Sequence, residues 1–418
     1  MKRICLLLII ATLITACSKT DKNIDNNGDE DNKEIPRLDE EHLVEEEELD
    51  DIKKMIDSMT LDEKIGQLLI IGLDGPKVDE HIERMVKDYK IGGFILFKHN
   101  IVDEEQALSL LNSLKSLNSQ NPIPLFLSID EEGGRVSRLP NSFTKLPPAE
   151  KVGRRGDKAI SLEYGTIIGK RVKALGFNVN FAPVLDVNSN PNNPVIGDRA
   201  FGSDKSKVIT HGLRVMEGIK EEGILAVVKH FPGHGDTHID SHIELPIIEK
   251  ELDELKELEL TPFKEAIKKG VDGIMVAHIL FPKLDSEYPS TLSNKIIEGL
   301  LRNELGFEGL IFSDDMTMGA IVENFSIEEA AVKFLKAGGD VLLICHGYEN
   351  HLKVIERIKE EILEGRLTEE EIDEKTYRII KTKKKYGFED NIIDKIDLEL
   401  LNSKSKKLLD RIDKKVNP

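Results

Sequence analysis

Basic charge is in deficit in this chain. The 58 Lys and Arg residues stand against 77 Asp and Glu, leaving a formal net charge of -19 and a pI near 5.2. That balance lacks the concentrated basic face that phosphate binding needs, so it excludes a nucleic-acid partner. Cysteine is scarce too: Cys5, Cys17 and Cys345 are all there are. Two of them fall in the first twenty residues, so no disulfide framework staples the mature protein. The longest apolar run near the N-terminus, residues 4–14, is too short for an ordinary membrane-spanning helix. Aromatic residues reach only 5%, yet 39% hydrophobic and 32% charged residues over 418 positions suffice to bury a full core in one large domain or two ordinary ones.

The apolar run has its own meaning. Met1-Lys2-Arg3 precedes it as a short positive region, and Ile14-Thr15-Ala16-Cys17 ends it with small residues. This segment resembles a bacterial lipoprotein signal. The resemblance implies cleavage before Cys17, acylation of that cysteine, and export to the outer face of a cell membrane, where lipid becomes a partner of the protein. Residues 1–16 are then a signal peptide. An acidic tether follows over 17–48: fifteen acids against four bases lie in residues 18–52, and such a stretch buries too little apolar surface to offset its ordering entropy. Order is expected from Leu49, where Ile52, Met55, Ile56 and Met59 recur at helical spacing, and Thr60 with Glu63 offers a capping box.

From there to about residue 388, short apolar runs alternate with amphipathic stretches. The runs are 67–73, 92–97, 125–129, 178–183, 226–230, 273–277, 310–313 and 340–345, with helical patterns near 78–89, 103–118, 158–175, 204–222, 253–269, 293–305, 326–337 and 350–363 between and after them. Eight βα repeats, without a Gly-rich nucleotide fingerprint after the first strand, predict an α/β fold of the (β/α)8 TIM-type barrel class. The whole of 49–388 is one catalytic domain on this reading, and 389–418 is a Lys-rich extension. In such a barrel the chemistry lies just beyond the strand ends. Those positions are polar here: Asp130-Glu131-Glu132, Asp186, Lys229-His230, His278 and Asp314-Asp315.

Two constellations stand out. His230, His234, His238 and His242 recur every fourth residue, but Pro232, Gly233 and Gly235 break any continuous helix, and neither a thiolate nor an accepted zinc spacing accompanies them. No metal or other cofactor is called for. Asp240 and His242, two apart in an extended loop, would point the same way, so the carboxylate can orient the imidazole for proton transfer; capping of the loop is the plainer use. The second constellation is Gly309 to Thr317, a strand ending in Asp314-Asp315. An aspartate there is a competent nucleophile toward an anomeric centre. Metal coordination by the pair, or a helix N-cap at Asp315, are rival uses.

These residues carry a family resemblance. Met59 to Gln67, Ile129 to Val136, Gly197 to Gly202, Lys229 to His242 and Leu300 to Thr317 are similar, in order, to the motifs of glycoside hydrolase family 3. Asp240-Ser241-His242 resembles its β-N-acetylglucosaminidase branch, and the likeness covers about residues 50–388. It implies Asp314 as nucleophile, His242 held by Asp240 as acid/base, and Asp130, Arg138, Arg199, Lys229 and His230 as contacts to the sugar. The sequence ends after one barrel, so the acid/base is expected on the barrel's own loop, which Gly233 and Gly235 would make flexible.

The activity implied is retaining removal of terminal β-linked N-acetylglucosamine from peptidoglycan or chitin-like fragments, through a glycosyl-Asp intermediate and with no obligatory protein partner. Other readings are a β-glucosidase or β-xylosidase, a phosphorylase that uses phosphate in place of water, a metal-dependent barrel hydrolase, and an inactive glycan-binding lipoprotein.

Overall fold

The computed structural model describes residues 51–238 and 240–414. The signal-like segment, Cys17 and the acidic stretch up to residue 50 lie outside the described residues. Eight strands, β1 (Leu69–Gly72), β2 (Gly93–Leu96), β3 (Phe126–Ile129), β4 (Val179–Asn180), β5 (Leu225–Phe231), β6 (Gly273–Val276), β7 (Leu310–Asp315) and β8 (Val341–Ile344), pair in chain order. All pairings are parallel, and Leu69↔Leu342 through Ile71↔Ile344 closes the ring between β1 and β8. A parallel sheet covered by helices is buried on both faces, which is why its strands read as continuous apolar runs. Every strand residue is buried except Asp314 and Asp315, which are half-buried at the mouth end of β7.

Local chemistry explains where the elements begin and end. Thr60 and Glu63 form the expected capping box on the helix Leu61–Gln67. The helix Lys158–Leu175 starts at the Asp157 side chain and stops at Gly176 in the left-handed conformation (φ 106°). Three expectations change. The fourth strand shrinks from 178–183 to two residues, because the backbone turns at Ala182, whose N–H donates to Asn180 O, and Pro183 has no N–H to give. The pattern over 253–269 splits into Leu252–Glu257 and Leu260–Lys268, with Pro262 in the first turn of the second piece, where a missing N–H does no harm. The helix over 293–305 is Lys295–Glu304, wound wide, with Leu305 N–H donating to Leu300 O.

The interior below the mouth is filled by Phe126, Phe181 and Phe312, whose rings meet edge to face at 5.9–6.4 Å. The helix Glu369–Lys385 runs beneath the barrel: Arg378 bonds Asp340 ahead of β8, and Lys385 and Tyr386 bond Asp272 ahead of β6. The chain from Glu389 onward then climbs the flank. Asp390 accepts from the Leu125 N–H and the Asn118 amide, and Asn402 bonds both Ser142 O and Thr144 N–H from the helix Leu398–Asp413.

Candidate active site

The strand ends converge on a cavity of about 330 Å³ at the mouth, within the range of small-ligand pockets. Asp130, Arg138, Arg199, Lys229, His230, His242 and Asp314 all line it. Asp240 stands just behind the lining, with Oδ1 2.8 Å from His242 Nδ1.

One side of the cavity is a web of buried charge. Lys229, on β5, donates to Asp130 Oδ1 at 2.7 Å and sits 2.8 Å from Glu132 Oε1. Arg199 grips Glu132 with two parallel bonds, Nε to Oε2 at 2.9 Å and an Nη to Oε1 at 2.7 Å. Arg138 stands 3.8 Å from Asp130. Burial alone would raise the Glu132 carboxyl, but Arg199 and Lys229 overcome it and hold it far below the ordinary carboxylate range. Burial works against the Lys229 ammonium in the same way, and Asp130 and Glu132 reverse it, so its pKa is raised.

Asp186 anchors the next element. Its Oδ2 lies 2.7 Å from His230 Nδ1, while Oδ1 accepts the backbone N–H of His234 at 2.7 Å. The carboxylate thereby fixes the Nδ1–H tautomer of His230 and leaves Nε2 toward Arg199, 3.5 Å away.

Asp314 ends β7 with Oδ1 accepting the Asp315 N–H at 2.9 Å. Burial would raise its carboxyl, but His278, His230 and that N–H outweigh the penalty and hold it below the usual range. Its neighbour does different work. Asp315 accepts from Thr317 N–H and Oγ1 and from the Cys345 N–H, tying the turn after β7 to the end of β8. It is not a helix N-cap, since Met318 occupies that position before Gly319–Val322. Its two oxygens accept from these three donors. Among the described residues no group of three or more His, Cys, Asp or Glu is arranged to hold a metal ion.

The loop after β5 corrects two expectations. Asp240 and His242 do pair, but not as two residues pointing the same way along an extended loop. Asp240 O accepts the N–H groups of Ile243 and Glu244, and its Oδ1 accepts the His242 N–H at 2.9 Å, so the pair is made in a tight turn closed by the aspartate. Gly233 and Gly235, expected in a flexible loop, are closely packed. A Cβ on Gly235 would come within 1.8 Å of Val187 O, and one on Gly233 within 2.6 Å of Glu259, so both glycines permit close packing. The four histidines diverge: His230 toward Asp186, His234 toward Thr237 and Ser241, His238 toward Asn190, and His242 toward Asp240.

Sequence reasoning placed Glu132 and Asp186 among the polar strand ends and His234 in the histidine series but gave none of them a role in the site. A signal for Glu132 existed: Asp130 and Glu132, two apart beyond β3, line the cavity, while Glu131 between them turns away toward the buried Arg171.

Comparison with known proteins bears on this site. The family profile described as "Glycosyl hydrolase family 3 N terminal domain" matches residues 60–382. Beta-hexosaminidase A of Pseudoalteromonas piscicida is 37% identical over 335 residues, covering 74% of this chain and 55% of that protein. Thus the chain spans about half the length of that relative. A beta-hexosaminidase of Nitrosomonas eutropha is 37% identical over 284 residues, 66% of this chain and 80% of the relative. Among solved structures, a glycoside hydrolase family 3 beta-N-acetylglucosaminidase from Paenibacillus sp. str. FPU-7 superposes with a TM-score of 0.79 at 36% identity, over 84% of this chain and 68% of the other.

Proposed function

The chain belongs to glycosyl hydrolase family 3, and from that premise we propose that it is a retaining exo-β-N-acetylglucosaminidase, acting on terminal β-linked N-acetylglucosamine of cell-wall or chitin-like fragments. The names of its relatives support the sugar. The observation that carries the chemistry is that Asp314 and His242 line one cavity of about 330 Å³ whose wall also holds paired carboxylates and cations.

In the first step Asp314, anionic at neutral pH, attacks the anomeric carbon as the bond to the leaving oxygen breaks, and His242 gives that oxygen its proton. Asp240 holds the imidazole by Nδ1, so Nε2 is the atom that exchanges the proton. In the second step His242 takes a proton from water, which displaces Asp314 from the sugar. Asp130, Arg138, Arg199, Lys229 and His230 present donors and acceptors to hydroxyl groups. On the same reading Cys17 carries the acyl anchor and the barrel works outside the cell membrane.

Release of 4-nitrophenol from the β-N-acetylglucosaminide, compared with the β-glucoside, tests the assignment. A strong preference for the acetylated sugar is expected; preference for the glucoside would overturn the sugar assignment. Asp314→Asn should lower kcat by at least about 10³-fold with the melting temperature kept, and a near-normal rate would remove Asp314 from the nucleophile role.

A further inference from the structure

The acid/base turn is the most exposed part of the site. The His242 side chain is 66% exposed and that of Asp240 34%, yet Ser241 between them is only 2% exposed. Its hydroxyl lies 3.2 Å from His234 Nε2, on the β5 side of the mouth. Its carbonyl accepts the Ala320 N–H at 3.1 Å, and the next carbonyl, of His242, accepts the Gly319 N–H at 3.3 Å. Gly319 and Ala320 follow β7 and its Asp314 by a few residues. A Cβ on Gly319 would fall 2.7 Å from His242 O, so that glycine admits the contact.

The hydrogen-bond network also assigns the protons. Thr237 Oγ1 donates to His234 O at 3.1 Å and accepts from the Asn193 amide at 3.2 Å. With that hydroxyl proton on His234 O, His234 Nδ1, 2.8 Å from the same oxygen, is the donor to it. That leaves Nε2 as an acceptor for the Ser241 hydroxyl. His234 is itself held through its backbone N–H by Asp186, the residue that orients His230. Burial pulls the His234 pKa down to about 4, in keeping with a neutral ring at pH 7.

We propose that Ser241 and His234 are positioning residues. Ser241 pins the acid/base turn between the β5 and β7 sides of the mouth and sets the distance from His242 to the glycosidic oxygen above Asp314. The proposal rests on the function assigned above. It separates two tasks inside one short motif: the outer pair serves the proton transfer, His242 carrying the proton and Asp240 orienting the ring, and the middle residue, facing inward, fixes where the transfer happens. Neither Ser241 nor His234 takes part in the proton transfer itself.

Ser241→Ala, Ser241→Thr and His234→Gln test it, each checked for an unchanged melting temperature. With the N-acetylglucosamine disaccharide, Ser241→Ala should lower kcat/KM by at least about tenfold, because departure of a sugar alcohol needs the acid. With the 2,4-dinitrophenyl glycoside, kcat/KM should hold while kcat and KM fall together, since the leaving group needs no proton but the water step still needs the base. Ser241→Thr should restore most of the loss, and His234→Gln should follow Ser241→Ala. A second readout does not depend on turnover: in Ser241→Ala the Gly319 and Ala320 amides should exchange hydrogen faster than in the parent protein. Equal kcat/KM losses on both substrates, or unchanged exchange at those amides, overturn the proposal. No turnover of either glycoside by the parent protein would count against the assigned function, and the exchange measurement would then decide the positioning role alone.

Discussion

Two buried lysines stand at opposite ends of the barrel. Lys229, at the mouth, is 3% exposed and lies within 2.8 Å of both Asp130 and Glu132. Lys383, on the helix beneath the barrel, is 1% exposed and donates to two neutral acceptors, Gln67 Oε1 and Gly92 O, each at 2.9 Å. Burial disfavours both ammonium groups. At the mouth two carboxylates reverse it and raise the pKa, whereas at the base Asp390 offsets it only in part and the pKa falls to about 7. Burial alone therefore does not decide the charge of a lysine; its partners do. The mouth keeps full charges in balanced pairs beside a cavity, where, on the proposed function, sugar hydroxyl groups exchange with them. The base has no substrate to meet and satisfies its ammonium group with neutral acceptors.

The sharpest way to break this contrast is Glu132→Gln. It leaves Lys229 and Arg199 in place with one carboxylate fewer between them, and unpairing buried charge destabilises by about 3–5 kcal/mol. Urea unfolding should show that loss together with weakened substrate binding. A change below about 1 kcal/mol would mean that water already reaches and screens the cluster.

Acid should reveal the mouth's electrostatics next. Burial holds His234 at about 4 and His351 at about 3, so the unfolded chain takes up these protons first and stability falls as pH drops from about 6.5 toward those values. The depressed carboxyls of Glu132, Asp186 and Asp314 act in the same direction but later. Their contribution is complete above the unfolded values of 4.5 for Glu and 3.8 for Asp, and is lost as pH falls through the lower native ones. Each group adds a slope of at most about 1.4 kcal/mol per pH unit. Melting temperatures should decline in two stages below pH 6.5, and the later stage should be shallower in Glu132→Gln. A flat profile from pH 6.5 to 4.5 would mean that the histidines do not stay neutral.

The same contrast explains what the sequence made legible. Strands covered on both sides gave eight apolar runs whose limits differ from the observed ones by a residue or two at most positions, and helices with strong caps, such as Lys158–Leu175, were readable at both ends. Asp314 and Lys229 were visible because an ionisable residue at the end of an apolar strand is conspicuous. Their supports were not: Arg199 meets Glu132 across 67 residues and His230 meets Asp186 across 44, and periodicity carries no information about such pairings. The helix Glu369–Lys385 escaped notice because its buried face includes Lys375, Thr376 and Lys383, so its apolar stripe is interrupted.

That interruption supplies the mildest test. Lys383→Met removes the ammonium nitrogen that sits over the Phe126 ring, 4.4 Å from its centroid, and puts a flexible apolar side chain in its place. It removes one donor from Gly92 O, which still accepts the Phe126 N–H at 2.9 Å. Lost hydrogen bonds and relieved burial of a charge oppose each other, so stability at pH 7 should move by about 1 kcal/mol or less. The pH dependence should change more. In the parent protein Lys383 gives up its proton near pH 7 when folded but holds it to about 10.5 when unfolded, so the unfolded state binds the extra proton and stability rises with pH. Between pH 7 and 8.5, below the range where the raised thiol of Cys345 would act the other way, the gain should be on the order of 1–2 kcal/mol. Lys383→Met should flatten it and leave kcat untouched, since the helix lies at the end of the barrel away from Asp314. An equal rise in both proteins would mean that Lys383 stays charged, and that neutral acceptors beneath the barrel can hold a full charge after all.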